Sequence, residues 1–238
     1  MQDSSHELAG APQGGPMPAS RLLVVSPHYD DAILSCGGWL SVCPGSIVVT
    51  VCTGPADAPD RLTDWDRRCG FSSAAQAMAS RQQENQRALS MIECRGLDLD
   101  LQDSQYRDAP DEDRSLMTER LFHAVASLAP DVVVIPLGLF HGDHVRVGDA
   151  GLMIREATPG VAWFAYEDIP YRSYPGLMQE RLVQLHARGI AVTPHPYAVD
   201  ADAKARLISA YASQLRGLAR SAHELAGQEC YWRLSAPR

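Results

Sequence analysis

At 238 residues, 45% hydrophobic and 21% charged, the chain has the make-up of one ordinary globular domain with a single sizeable core. Its formal net charge of −8 argues against a nucleic-acid partner, which needs a basic face, and against an anionic membrane surface. The six cysteines include no C-x-x-C pair and read as free thiols of a reducing, cytoplasmic compartment, not as a metal or disulfide framework.

Residues 1–19 are rich in Gly, Pro, Ser and Ala and lack the basic-then-apolar pattern of a secretory signal, so they read as a flexible tail. Residues 20–238 read as a single domain. Residues 21–26 (RLLVVS) predict a buried strand ended by Pro27, and residues 31–40 a helix weakened by Gly37 and Gly38. Residues 46–52 (SIVVTVC) predict a second buried strand. Residues 56–73 are polar and without period, which reads as an irregular loop. A helix is expected over 74–94, a short alternating strand over 97–101 (LDLDL) and a solvated acidic loop over 103–114. An amphipathic helix follows over 116–128, then a third strong strand over 131–136 (DVVVIP). Helix 144–157, strand 161–166 (VAWFAY), helix 177–188, short strand 190–193 and a long helical region over 201–226 complete the pattern. His195, between two prolines, reads as exposed loop. Strands alternating with helices imply a Rossmann-like three-layer α/β/α fold with a mostly parallel central sheet. No run approaches the roughly 18 apolar residues of a membrane span.

Chemistry concentrates in two motifs. Ser26-Pro27-His28-Tyr29-Asp30-Asp31 follows the first strand, and His141-Gly142-Asp143-His144 follows the strand 131–136. Both stand between a strand and a helix, where an open α/β sheet presents its ligand crevice. Two imidazoles and a carboxylate can hold zinc with a position left for water, and the same set suits Fe2+. A second carboxylate can take a proton from that water, and another histidine can donate to a developing oxyanion. His28, Asp30, Asp31, His141 and His144 supply all five groups. Either motif alone could be helix capping or a surface turn; the two together point to a metal site.

On these residues the chain resembles the LmbE/PIG-L family of metal-dependent N-acetylglucosaminyl deacetylases, which carries a [P/A]-H-P-D-D motif after its first strand and an H-x-D-H motif later. The resemblance extends through Arg81-x-x-Glu84, the stretch from Asp103 to Arg107, and Tyr166-Glu167-Asp168, and covers roughly residues 21–234. It implies that His28, Asp31 and His144 are zinc ligands and Asp30 the general base. It further implies that His141 stabilises the oxyanion and protonates the leaving amine, and that Asp143 orients a histidine. The family's Pro and Glu are replaced by Tyr29 and Ala32, and Leu139-Phe140 stand where some relatives carry a tyrosine.

For substrate, Tyr29 is expected to line the pocket, Asp103 to bind sugar hydroxyls and Arg81 to pair with a phosphate or polar aglycone. Trp65 is a candidate for stacking on a sugar ring, whereas Trp163, in an apolar strand, reads as core. The implied partner is a small N-acetylated amino sugar or glycoconjugate, and the oligomeric state is left open. Two other readings keep the fold: an amidase of the thiol-conjugate type, and a non-catalytic carbohydrate-binding protein. Asp30 argues against the second, because sugar binding has no use for an extra base beside the metal.

Overall fold

The structure, a computed structural model, describes residues 21–107 and 114–235. The expected tail over 1–19 lies outside them. The first half of the chain runs β1 (Leu22–Ser26), α1 (Asp31–Ser41), β2 (Ile47–Thr50), α2 (Asp64–Cys69), α3 (Ala74–Ser90), β3 (Arg95–Asp98) and α4 (Arg114–Leu128). It continues through β4 (Val132–Pro136), α5 (Gly142–Arg155), β5 (Ala162–Tyr166), α6 (Leu177–Ala187) and β6 (Ala191–Tyr197). Three short helices, α7 (Ala201–Ile208), α8 (Ala212–Leu218) and α9 (Ala222–Leu225), precede β7 (Glu229–Ser235). The seven strands among the described residues form one sheet in the order β3-β2-β1-β4-β5-β7-β6. β1 to β5 pair in parallel, and β7 runs antiparallel to both β5 and β6. This is the mostly parallel three-layer α/β/α fold the alternating pattern implies.

Strand pleating explains why two cores arise. Leu22, Val24, Val132 and Val134 point to one face, against Ile33, Trp39 and Leu40 of α1. Leu23, Val25, Val133 and Ile135 point to the other, against Met117 and Leu121 of α4 and Val147 of α5. Successive side chains of a strand alternate faces, so an unbroken apolar run is what a sheet covered on both sides requires. Each such side chain, fully buried, stabilises the fold by about 1.5–3 kcal/mol relative to exposure. α5 lies close on β4 because Gly148 has no side chain; a Cβ there would stand 2.8 Å from the Pro136 carbonyl oxygen. That close approach sets the depth of His144.

Several expectations need correction. The stretch 56–73 contains α2, opened by a reciprocal cap between Thr63 and Asp66. The strand expected over 97–101 lies earlier, at β3. The loop beginning at 103 is not solvated where it is described: Asp103 and Tyr106 are 2% and 1% exposed, in a single 3-10 turn over Ser104–Tyr106. The region 201–226 is three helices. β7 was not foreseen, and β6 extends through His195. Its prolines are tolerated because β6 is the sheet's edge, where a missing N–H breaks no second ladder. Trp163 is core, 3% exposed. Among the described residues, no helix is long and apolar enough to cross a membrane.

Candidate active site

Strand order reverses between β1 and β4, and both motifs leave the sheet there, at the carboxyl ends of adjacent strands. The loop after β1 is tied by Ser26, whose hydroxyl donates to the His28 carbonyl at 2.5 Å and accepts the Ala32 N–H at 2.9 Å. Ser26 therefore serves the start of α1. Asp30, at the N-cap position, makes no capping bond with its side chain, so helix capping does not account for it. Ala32, in place of the family's Glu, is fully buried core.

The His28, His141 and His144 rings form a near-equilateral triangle, with centroids 5.1, 5.4 and 5.4 Å apart. Asp31 reaches into it. Its Oδ2 lies 3.2 Å from His28 Nδ1 and 3.3 Å from His144 Nε2, and accepts the His28 backbone N–H at 2.9 Å. Two ligands each about 2.0–2.1 Å from a tetrahedral ion stand about 3.3 Å apart, and the two distances from Asp31 to the rings match that spacing.

Carboxylates stand behind both rings. His28 Nε2 is 3.3 Å from Asp143 Oδ2, and His144 Nδ1 is 2.6 Å from Asp168 Oδ1. A hydrogen bond from each outer nitrogen leaves Nδ1 of His28 and Nε2 of His144 as the lone-pair atoms that face Asp31. Asp168 Oδ2 also accepts the N–H groups of Gly138 and Leu139, at 3.0 and 2.9 Å. Asp143 is held by the Ser104 hydroxyl at 2.6 Å, by Arg107 at 3.2 Å and by Arg146. It is fully buried behind His28, the orienting position the resemblance implies.

Electrostatics agree with a cation site. Burial opposes charge on His144, yet Asp31 and Asp168 raise it to about 10; His28 is likewise held well above its usual value by Asp103, Asp143 and Asp31. For Asp31, burial is outweighed by the two imidazoles, and its carboxyl lies well below the usual range. Asp30 goes the other way. Burial, then the Asp31 charge, push it up to about 6. Surroundings negative enough to hold protons on two buried imidazoles also favour a divalent ion.

Two other groupings of donor atoms stand close together. Ring nitrogens of His28, His141 and His144 lie within 4.8 Å of one another, as do donor atoms of His28, Cys52 and Asp143. His141, however, caps α5, and its Nδ1 accepts the Asp143 N–H at 3.3 Å. Burial, then Asp143 and Asp103, keep Cys52 a protonated thiol, and Asp143 is committed to its arginines.

His28, Asp30, Asp31, His141 and His144 line one cavity of about 390 Å3, with Arg81 and Asp103 on the same wall system. Arg81 donates to Asp103 Oδ2 at 3.2 Å, and both are buried. Tyr29 is a correction. It follows His28 on the other side of the turn, and its hydroxyl donates to Asp98 at 3.0 Å, in a separate cavity beside β3. Burial, then His28 and His144, lower the His141 imidazole to about 4, and its Nδ1 accepts the Asp143 N–H, which leaves Nε2 toward the cavity. The aromatic beside it comes from another loop: Tyr171 lies parallel to it at 6.5 Å. Tyr171 carries no sequence signal, and Asp168 is marked only by the resemblance at Tyr166-Glu167-Asp168, without a role. Asp168 lies just past Tyr166, the β5 residue in register with Pro136.

The family model described as PIG-L, GlcNAc-PI de-N-acetylase, matches residues 23–154. No curated protein sequence matches the chain. Among solved structures, the A40926 pseudoaglycone deacetylase Dbv21 is similar, with 24% identity, a TM-score of 0.74, and 92% of this chain and 98% of that one covered. The N,N'-diacetylchitobiose deacetylase of Pyrococcus horikoshii follows at 16% identity and TM-score 0.51, covering 82% of this chain and 71% of its own. GalB, the 4-carboxy-2-hydroxymuconate hydratase of Pseudomonas putida KT2440, stands at 16% and 0.58, with 92% and 97% covered. At these identities the likeness is one of fold.

Proposed function

Because the chain belongs to the PIG-L family of amide-cleaving enzymes, we propose that it is a metal-dependent hydrolase removing the acetyl group from an N-acetylated amino sugar or its glycoside. His28 through Nδ1, Asp31 through Oδ2 and His144 through Nε2 would hold the ion; two imidazoles and a carboxylate suit zinc, and Fe2+ is compatible. When bound, such an ion supplies a Lewis acid for the acyl oxygen and acidity for water.

The observation that carries the reading is Asp30. Its carboxylate stands beside the three donors without being needed among them, lines the cavity, and is pushed up to about 6. A group so placed accepts a proton from water near neutral pH. As the C–N bond breaks, Asp30 returns that proton to the departing amine, and acetate and a free amino sugar result. Neutral His141 uses its Nε2–H as a hydrogen-bond donor to the acyl oxygen while negative charge builds there. Asp143 and Asp168 hold the ligand rings. Arg81 and Asp103 offer polar groups to the sugar hydroxyls. The names of Dbv21 and the chitobiose deacetylase favour acyl removal over the hydratase reaction that GalB's name states.

The test is release of free amine from a panel of N-acetyl amino sugars and their glycosides, alongside metal analysis. About one equivalent of divalent metal per chain and reversible loss of turnover on chelation are expected. Bound metal with no amine from any panel member would remove the deacetylase reading.

A further inference from the structure

A second cavity, of about 320 Å3, lies between α3 and the edge strand β3. Tyr29 lines it, whereas the residues on either side, His28 and Asp30, line the cavity of the candidate active site. The two cavities therefore share one turn as a wall. Ligand pockets run from about 300 to 1,000 Å3, so the second cavity suits a small molecule.

Three side-chain positions in its lining point to a ligand. Asn85, on α3, is 3% exposed. Its Oδ1 accepts the Tyr211 hydroxyl at 2.9 Å, but its Nδ2 has no hydrogen-bond acceptor among the described residues. A side chain this deeply buried ordinarily has its N–H groups paired, so the amide calls for a partner within the cavity. Asp98, at the end of β3, comes next. Its Oδ2 accepts the Tyr29 hydroxyl at 3.0 Å and the Gln82 amide at 3.1 Å, while its Oδ1 has no partner and the carboxylate no ion pair among the described residues. Gly96, inside β3, is the third. Glycine weakens a strand interior, and it often marks a place where a ligand or another backbone comes close. A Cβ on Gly96 would stand 3.3 Å from Leu89 Cδ1 and 4.0 Å from Asn85 Nδ2, so a side chain there would fill the space in front of the amide.

The lining also selects the chemistry. No Lys, Arg or His is among the described residues that line the cavity, so an anion would meet the Asp98 carboxylate with nothing to offset it. A single carboxylate beside amides does not supply the ligand set of a divalent metal. A wholly apolar molecule would strip water from Asp98 and Asn85 and give them no partner in return. A small cation with hydroxyl groups meets each requirement. Its ammonium group pairs with Asp98 Oδ1, an oxygen accepts from the Asn85 amide, and its C–H surface lies against Leu89 and Leu97.

We propose that this cavity is a second ligand site, taking a small ammonium compound that carries hydroxyl groups. The site stands on its own lining and does not depend on the deacetylase reading. Under that reading, the free amino sugar released by the reaction has the required chemistry. Tyr29 then joins the two sites, because a molecule on Asp98 bears on the hydrogen bond that anchors the turn between His28 and Asp30.

NMR titration of the zinc-loaded, full-length, isotope-labelled protein tests the proposal site by site. Glucosamine should move the signals of the Asn85 side-chain amide and the Gly96 N–H. Glucose, which has the hydroxyl groups without the charge, should bind there about tenfold more weakly or worse. Ethanolamine separates the two sources of this chemistry: binding as tight as that of glucosamine assigns the site to small amino alcohols, and weaker binding assigns it to amino sugars. Asp98→Asn should weaken glucosamine by about tenfold or more. Gly96→Val, which removes no hydrogen bond, should abolish the response at Asn85, and Asp98→Asn keeps the test open if that variant does not fold. Binding in the cavity of the candidate active site would instead shift the Phe140 and His144 amides and persist in both variants. Equal binding of glucose and glucosamine, shifts confined to the candidate active site, or an unchanged response in Gly96→Val overturns the proposal. None of these measurements requires turnover, so their failure leaves the deacetylase reading standing.

Discussion

Two buried charge centres in this molecule invite comparison. Lys204 of α7 and Glu229 of β7 meet at 2.8 Å with both side chains fully buried. Glu229 also accepts the N–H groups of Gly38 and Trp39, at 2.7 and 3.2 Å, and the Tyr231 hydroxyl at 2.5 Å. Every strong acceptor site is filled, and the pair ties α1, α7 and β7 together. At the end of β1 the ingredients are similar, but the accounting is left open. Asp31 is matched by two imidazoles, while Asp30 has no ion-pair partner among the described residues and faces a cavity. Burial of charge is common to both centres. Incomplete pairing beside a cavity is what marks the second as a place for chemistry.

The sharpest way to break this contrast is Asp30→Asn. As a general base, Asp30 should contribute a factor of about 10²–10⁴ to turnover, so kcat should fall by that much while bound metal is unchanged. The stability effect should have the opposite sign. Asp30 is raised in the fold from 3.8 to about 6; its ionisation at pH 7 therefore costs folding free energy, and the neutral amide escapes that cost. Metal-free Asp30→Asn should be more stable at pH 7 by about 1–3 kcal/mol, read as a higher Tm. A lower Tm would mean that Asp30 is as fully matched as Glu229.

The closed centre should respond only in stability. Lys204→Ala strands a buried carboxylate and should destabilise by about 3–5 kcal/mol, whereas Lys204→Met with Glu229→Gln should recover much of the loss. Denaturant melts read both, and kcat of the folded fraction should stay near wild type. A large fall in kcat at unchanged stability would join the two centres functionally.

Asp168→Asn and Asp143→Asn probe the carboxylates behind the rings. Each should weaken metal affinity by about 10–100-fold, measured by competition with a chelating dye, with less effect on saturated turnover. Unchanged affinity in both would show that packing alone orients the rings.

The smallest effect concerns pH. Asp30 must be ionised to accept a proton, and its value lies near 6. Turnover at saturating metal should be flat above that value and fall about tenfold per unit below it. Turnover independent of pH through the acid range would remove Asp30 as the general base.

Both motifs could be read in the sequence because each is short and local: a ligand set compressed into a few residues just after an apolar strand. The parallel strands were legible for a similar reason, as β-branched runs with no polar interruption. What escaped depends on long-range partners. Tyr29 is next to a proposed ligand, yet chain direction turns it toward Asp98. Asp103 sits in an acidic stretch that reads as solvated, and only Arg81, 22 residues away, explains its burial. Asp168 stands in the resemblance at Tyr166-Glu167-Asp168, but its role depends on His144 and on the Gly138 and Leu139 amides, which the chain brings to it from another loop. β7 has mixed polarity because it lies near the sheet's far edge, where one face is less covered. α2 was legible in principle through Thr63 and Asp66, a cap signal outweighed by the polar composition around it.

Asp168 has one further consequence. One oxygen engages His144 and the other the amides of Gly138 and Leu139, so a single carboxylate is shared by a proposed ion ligand and by the turn that carries Phe140. Occupancy of the ion site and order in that turn are then thermodynamically linked, and linkage is reciprocal. Adding metal should slow hydrogen exchange at the Gly138 and Leu139 amides, and a change that orders that turn should raise metal affinity.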